Sequence, residues 1–103
     1  MASGRLGTAD LAATTLTTLY TVPATKLASF TLAFANRTGA AITARVALAA
    51  AAAPVAGEYI EYDVVVAANG VLERTGLVLD AGKQVVVYAG AVGLSVNLWG
   101  YEE

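Results

Sequence analysis

Along "KLASFTLAFAN", residues 26 to 36, apolar and small polar positions alternate. Ala28, Phe30, Leu32 and Phe34 share one parity, and Ser29, Thr31 and Ala33 take the other. A period of two is the mark of a strand with one face in a core, so Phe30, Leu32 and Phe34 are expected to be buried. The pattern returns in "AAITARVALA", with Ile42, Ala44, Val46 and Leu48 inward and Thr43 and Arg45 outward. Turn signals punctuate the chain: Pro23 after "LTTLYTV", then "NRTG" at 36–39, "NG" at 69–70, "LDAGKQ" and "GAVG". The runs between them are rich in Val, Leu, Thr, Tyr and Phe, residues that suit a pleated, half-buried surface. The pattern predicts an all-β fold of seven or eight antiparallel strands, an Ig-like or jelly-roll-like β-sandwich.

Two stretches need separate treatment. The run Ala49 to Ala53 ends at Pro54, too short to sustain a helix before a proline, and reads as a loop crossing between sheets. "EYIEYDVVVAANGVLERTG", residues 58–76, reads as a hairpin turning at Asn69 and Gly70. Its parity places Ile60, Tyr62, Val64 and Val66 on the core face with Leu77 and Leu79. Tyr59, Glu61 and Asp63 then share the other face with Leu72, Arg74 and Val78, and Asp63 lies opposite Arg74 or one diagonal step away. Glu73 falls on the core face beside the turn, where a rim position reaching water or an intersubunit salt bridge would satisfy it.

Composition narrows the function classes. The 103 residues amount to one domain and contain neither cysteine nor histidine. Disulfide frameworks, thiolate chemistry, the usual zinc ligand sets and the commonest neutral-pH general base are therefore out of reach. With a net charge of −2 and Arg5, Lys26, Arg37, Arg45, Arg74 and Lys83 scattered singly, no nucleic-acid footprint is expected. The 57% hydrophobic fraction is dominated by alanine, and glycines break the longest uncharged window, so no membrane span is expected either. There is no phosphate loop, no calcium loop, and no lysine placed to activate a hydroxyl. Glu61 and Asp63 have an arginine on their own face, which lowers carboxyl pKa values, the opposite of what a general acid needs. The chain reads as a non-enzyme without a cofactor. Trp99, Tyr59 and Tyr101 leave open a sugar-binding surface.

The segment before the first strand, residues 1–12, has too few large apolar groups to fold alone and reads as an N-terminal arm preceding a sandwich of residues 13–103. It lacks the basic and apolar regions of a signal peptide, so synthesis in the cytoplasm is expected. Arms of this kind serve assembly, and Arg5 and Leu6 are the residues expected to dock on a neighbour. Loops carrying Arg37 or Pro54 come second, followed by the charged strand residues Glu61, Asp63, Glu73 and Arg74.

The segments "LTTLYTVPATK", "FANRTGAAITARVALA", "EYIEYDVVVAANGVLERTGLVLDAGKQVVVYA" and "VNLWGYEE" together resemble small structural proteins of tailed-bacteriophage virions, in order and from about Leu16 onward. In that group "LYTVPA", "NR" before a strand, "YIEYD", "NGVLERTGLVL" and a terminal "WG-x-EE" recur; Thr25 departs from a frequent glycine. The resemblance implies a β-sandwich assembling as a symmetric homo-oligomer, a trimer being one form, within a virion made in a host cytoplasm. Its partners would be copies of itself and the major capsid protein, which it would decorate and cement. The alternatives are tail, baseplate or fibre proteins as partners, or a glycan on a host surface.

Overall fold

The computed structural model describes residues 3–103. Its strands are β1 (Ser3–Asp10), β2 (Thr17–Thr21), β3 (Leu27–Asn36), β4 (Ile42–Ala49), β5 (Tyr59–Val66), β6 (Val71–Asp80), β7 (Gln84–Ala89) and β8 (Leu94–Glu102), with a single 3-10 turn, Ala56–Glu58, before β5. They form two four-stranded antiparallel sheets, β1-β8-β3-β6 and β2-β7-β4-β5, packed face to face as a β-sandwich. β1 pairs with β8, β2 with β7, β3 with β6 and β4 with β5. The chain is thus one long ribbon doubled back at β4 and β5 and wrapped around a core, which is the jelly-roll arrangement.

That wrap exchanges the expected roles of two loops. The alanine-rich segment after Ala49 joins β4 to β5 inside one sheet, whereas residues 67–70 carry the chain from β5 to β6 in the opposite sheet. The expected hairpin is therefore a sheet-to-sheet corner, although its turn is real: Gly70 N donates to Ala67 O at 2.8 Å. The alanine loop is held by one carboxylate, Glu58, which accepts from Ala50 N at 3.1 Å and Val55 N at 2.9 Å.

Of the segment expected as an N-terminal arm, residues 1–2 lie outside the described residues and the rest runs along the sandwich itself. Residues 3–10 form the edge strand β1 along β8. Strand addition requires backbone hydrogen bonds rather than large side chains, so a small-residue segment can join a sheet without a core of its own. Leu11 then plugs into the interior at 2% exposure as the chain crosses to β2.

The core lies between the sheets. Phe30, Leu32, Phe34, Ile42, Ala44 and Val46 are buried there, as their alternation requires, with Val85, Val87, Leu94, Val96 and Leu98 facing them. Two polar groups are also buried. Asn36 donates to Ala40 O at 2.8 Å and Val66 O at 3.1 Å and accepts from Thr38 N at 3.0 Å, tying the 36–40 turn to the end of β5. Glu102 on β8 accepts from the Tyr20 hydroxyl on β2 at 2.5 Å, a bond across the sandwich.

Alternation fails on β5 and β6, and the cause is broken register, once on β6 and twice on β5, where a second slip at Ile60 brings Tyr59 level with Ala47. On β5 the register against β4 slips between Glu61 and Val64, where Asp63 adopts φ 53°. On β6 it slips between Arg74 and Leu77 against β3, where Gly76 adopts φ 71°. One extra residue reverses which side chains face in. Val64, Val66, Leu77 and Leu79 keep their inward parity, but Ile60 and Tyr62 become exposed while Glu61 turns toward the inner edge. Glu73, expected on the core face, is exposed opposite Ala33, and Arg74 takes the inward side.

Candidate functional site

The charged strand residues sort into two arrangements. At the open edge of the sandwich, Arg74 Nε of β6 donates to Glu61 Oε2 of β5, linking the edge strands of the two sheets. The Glu61 side chain is only 14% exposed there. On the outer face of the β2-β7-β4-β5 sheet, Arg45 binds Asp63 through two bonds, Nε to Oδ1 at 2.6 Å and Nη2 to Oδ2 at 3.3 Å. The expected pairing of Asp63 with Arg74 is therefore replaced by two separate pairs, because the β5 bulge sends Glu61 and Asp63 in different directions.

The Arg45 guanidinium also lies between two rings, 4.2 Å from the centre of Tyr62 and 4.4 Å from that of Tyr88. Cation–π attraction and the paired hydrogen bonds fix its plane. Tyr59 meets Tyr62 edge to face, with ring centres 5.1 Å apart and planes at 87°. Tyr59 also covers a second small apolar cluster of Ala47, Ala49 and Val86 on this outer face. Beside it lies a recess of about 560 Å³ lined by Ala56, Tyr59 and Tyr62.

The remaining expected docking residues are dispersed. Arg5 is exposed on β1, in register with Trp99 of β8, while Leu6 is half-buried and packs on its own core instead of facing a neighbour. Arg37 pairs with Asp10 at one end of the sandwich, and Pro54 sits half-buried in the alanine loop. Glu73 is exposed at the other edge of the sheet that carries Arg5. The outward assignment of Arg45 is correct, and Tyr88, level with it on β7, follows that strand's alternation; Tyr62 escapes alternation because the bulge reverses it.

The Arg45 hydrogen bond holds the Asp63 carboxyl below the usual carboxylate range, and the bond from Lys83 does the same for Asp80. Burial, followed by the hydrogen bond to Glu102, pushes the Tyr20 phenol well above its ordinary value. These shifts leave ordinary charge states in place at neutral pH and supply no poised proton donor or acceptor. Among the described residues no cluster of acidic side chains is placed to hold a metal ion. Comparison with protein-family models, curated proteins and solved structures yields no match to this chain.

Proposed function

We propose that this chain is a structural protein of a tailed-bacteriophage virion, a homo-oligomeric decoration protein that cements the capsid. The observation that carries the reading is the placement of large apolar side chains on the outside of a two-sheet jelly roll. Leu27, Val78, Trp99 and Tyr101 are exposed on one sheet, and Ile60, Tyr62 and Val65 on the other. Such surfaces suit burial against neighbours in a lattice. The order of segments from Leu16 onward that resembles virion proteins gives the setting. A protein that binds only the assembled shell stabilises it by mass action, and repeated copies multiply weak contacts.

The copy number per purified virion, measured by quantitative mass spectrometry against the major capsid protein, tests this. A number comparable to that of the capsid protein, or a simple fraction of it, is expected. A few copies would move the protein to the tail, baseplate or a fibre, and absence from particles would overturn the virion reading.

The recess at Tyr59 and Tyr62 supports a second reading, a host-surface glycan module, because aromatic faces beside charged hydrogen-bonding groups suit a sugar ring. Binding of the purified protein to a glycan array, lost in Tyr62→Ala, would favour it.

A further inference from the structure

The outer face of the β1-β8-β3-β6 sheet has a self-complementary relief. On β8 it presents Trp99 and Tyr101, which are 39% and 45% exposed. On β3, directly across from them, it presents only small side chains, Thr31 level with Trp99 and Ser29 level with Tyr101. These strands are the two central ones of the sheet, so at the level of Trp99 and Tyr101 bulk lies on the β8 side of its midline and a shallow trough on the β3 side, flanked by Leu27 and by Val78 of β6.

We infer that two copies of this chain pack face to face through this sheet, about a two-fold axis that runs along the strands between β8 and β3. That operation exchanges β8 with β3 and β1 with β6. It therefore lays Trp99 on the partner's Thr31 and Tyr101 on the partner's Ser29, filling the trough from both sides. An isologous contact requires this kind of complementarity between the two halves of one patch.

Charge supports the same axis. Arg5 on β1 and Glu73 on β6 are both exposed on the two flanking strands of this face, with opposite signs. Among the described residues neither has a partner in an ion pair. Arg5 is level with Trp99 and Thr31, and Glu73 with Ala33, two residues further along β3. Exchange of β1 with β6 brings each Arg5 to within about 7 Å along the strand of the partner's Glu73, within reach of an extended arginine. Two symmetric ion pairs then rim the aromatic centre. Four strands about 4.8 Å apart and roughly 30 Å long make a face of about 600 Å² per copy, near the about 800 Å² per partner of a standard interface.

From the preceding reading the inference takes only that the chain self-associates, and its test requires no virion. Sedimentation equilibrium of the purified protein should give a dimer. Arg5→Glu or Glu73→Arg alone should weaken it about tenfold or more, and the double variant R5E/E73R should recover most of the loss. Trp99 is the single tryptophan, so its emission should shift to the blue on concentration as the dimer forms. This readout uses the unaltered chain, so it reports the face whether or not the variants fold. A monomer at every concentration, a trimer, or single-variant losses that the double variant does not repair would overturn the proposal. A repaired dimer that is absent from virions would leave it standing and defeat the virion reading alone.

Discussion

Arg74 on β6 and Glu61 on β5 pair across the open edge of the sandwich, and each reaches that position because a bulge in its own strand reverses the local alternation. The edge strands of two different sheets are thereby tied together where no ladder of backbone hydrogen bonds joins them. Arg74→Ala should lower stability by about 1–2 kcal/mol, because it leaves the half-buried Glu61 carboxylate without its donor. The double variant R74A/E61A should show a coupling of about 0.5–1 kcal/mol, a modest value because the arginine is partly exposed to solvent. Urea titration of the four species checks this.

The hydrogen bond from Tyr20 to the buried Glu102 predicts an alkaline limb. The Tyr20 phenol holds its proton more tightly folded than unfolded. The resulting stabilisation is fully present below the unfolded value of about 10 and is lost as pH rises beyond it. Thermal unfolding from neutral pH upward should show that decline, and Tyr20→Phe should flatten it. At neutral pH the same variant should cost about 1–3 kcal/mol by leaving a buried carboxylate unsatisfied.

At the acid end the sign reverses. Asp63 and Asp80 hold protons less tightly folded than unfolded, Asp63 through Arg45 and Asp80 through Lys83. Their contribution is complete above about pH 4 and disappears as pH falls through their lowered values. Carboxyl titration by NMR should place both below the ordinary aspartate range. Arg45→Met should return Asp63 toward that range while leaving Asp80 unmoved.

Gly100 is fixed by proximity. A Cβ there would lie 2.1 Å from Ser29 O and 2.7 Å from Phe30 Cα, both main-chain atoms of β3 that cannot rotate away. Gly100→Ala should cost about 2–3 kcal/mol, by forcing β8 off β3. Gly39→Ala, which meets nothing within 4 Å, should change stability by less than about 0.5 kcal/mol. Denaturant midpoints of the two variants provide the comparison.

The sandwich was legible because strands β3 and β4 alternate without interruption, so Phe30, Leu32, Phe34, Ile42, Ala44 and Val46 could be assigned to the core by period alone. The side chains of β5 and β6 were not, since an inserted residue reverses the positions beside it, and on β5 a second slip at Ile60 leaves Tyr59 on its expected outer face. Gly76 carried a signal for this, because an isolated glycine inside a strand marks a bulge. Asp63 carried only a weak one: aspartate tolerates the left-handed region better than most residues, but inside an apolar strand run it does not single out φ 53°. The wrap was equally hidden. An Asn-Gly turn between apolar runs serves a hairpin and a corner alike, and only the competition among all eight strands for partners decides between them. The aromatic stack on Arg45 followed from that outcome.

The ribbon that doubles back at β4 and β5 also sets an order of events in time. The pair β4 and β5 can zip first, since only a short loop separates them, and each later pair encloses the one before. Among the eight strands β1 is made first and its ladder partner, β8, last. Until β8 is made, Leu11 has no finished interior to enter and β1 has no ladder partner, so the sandwich closes only once its eighth strand is present.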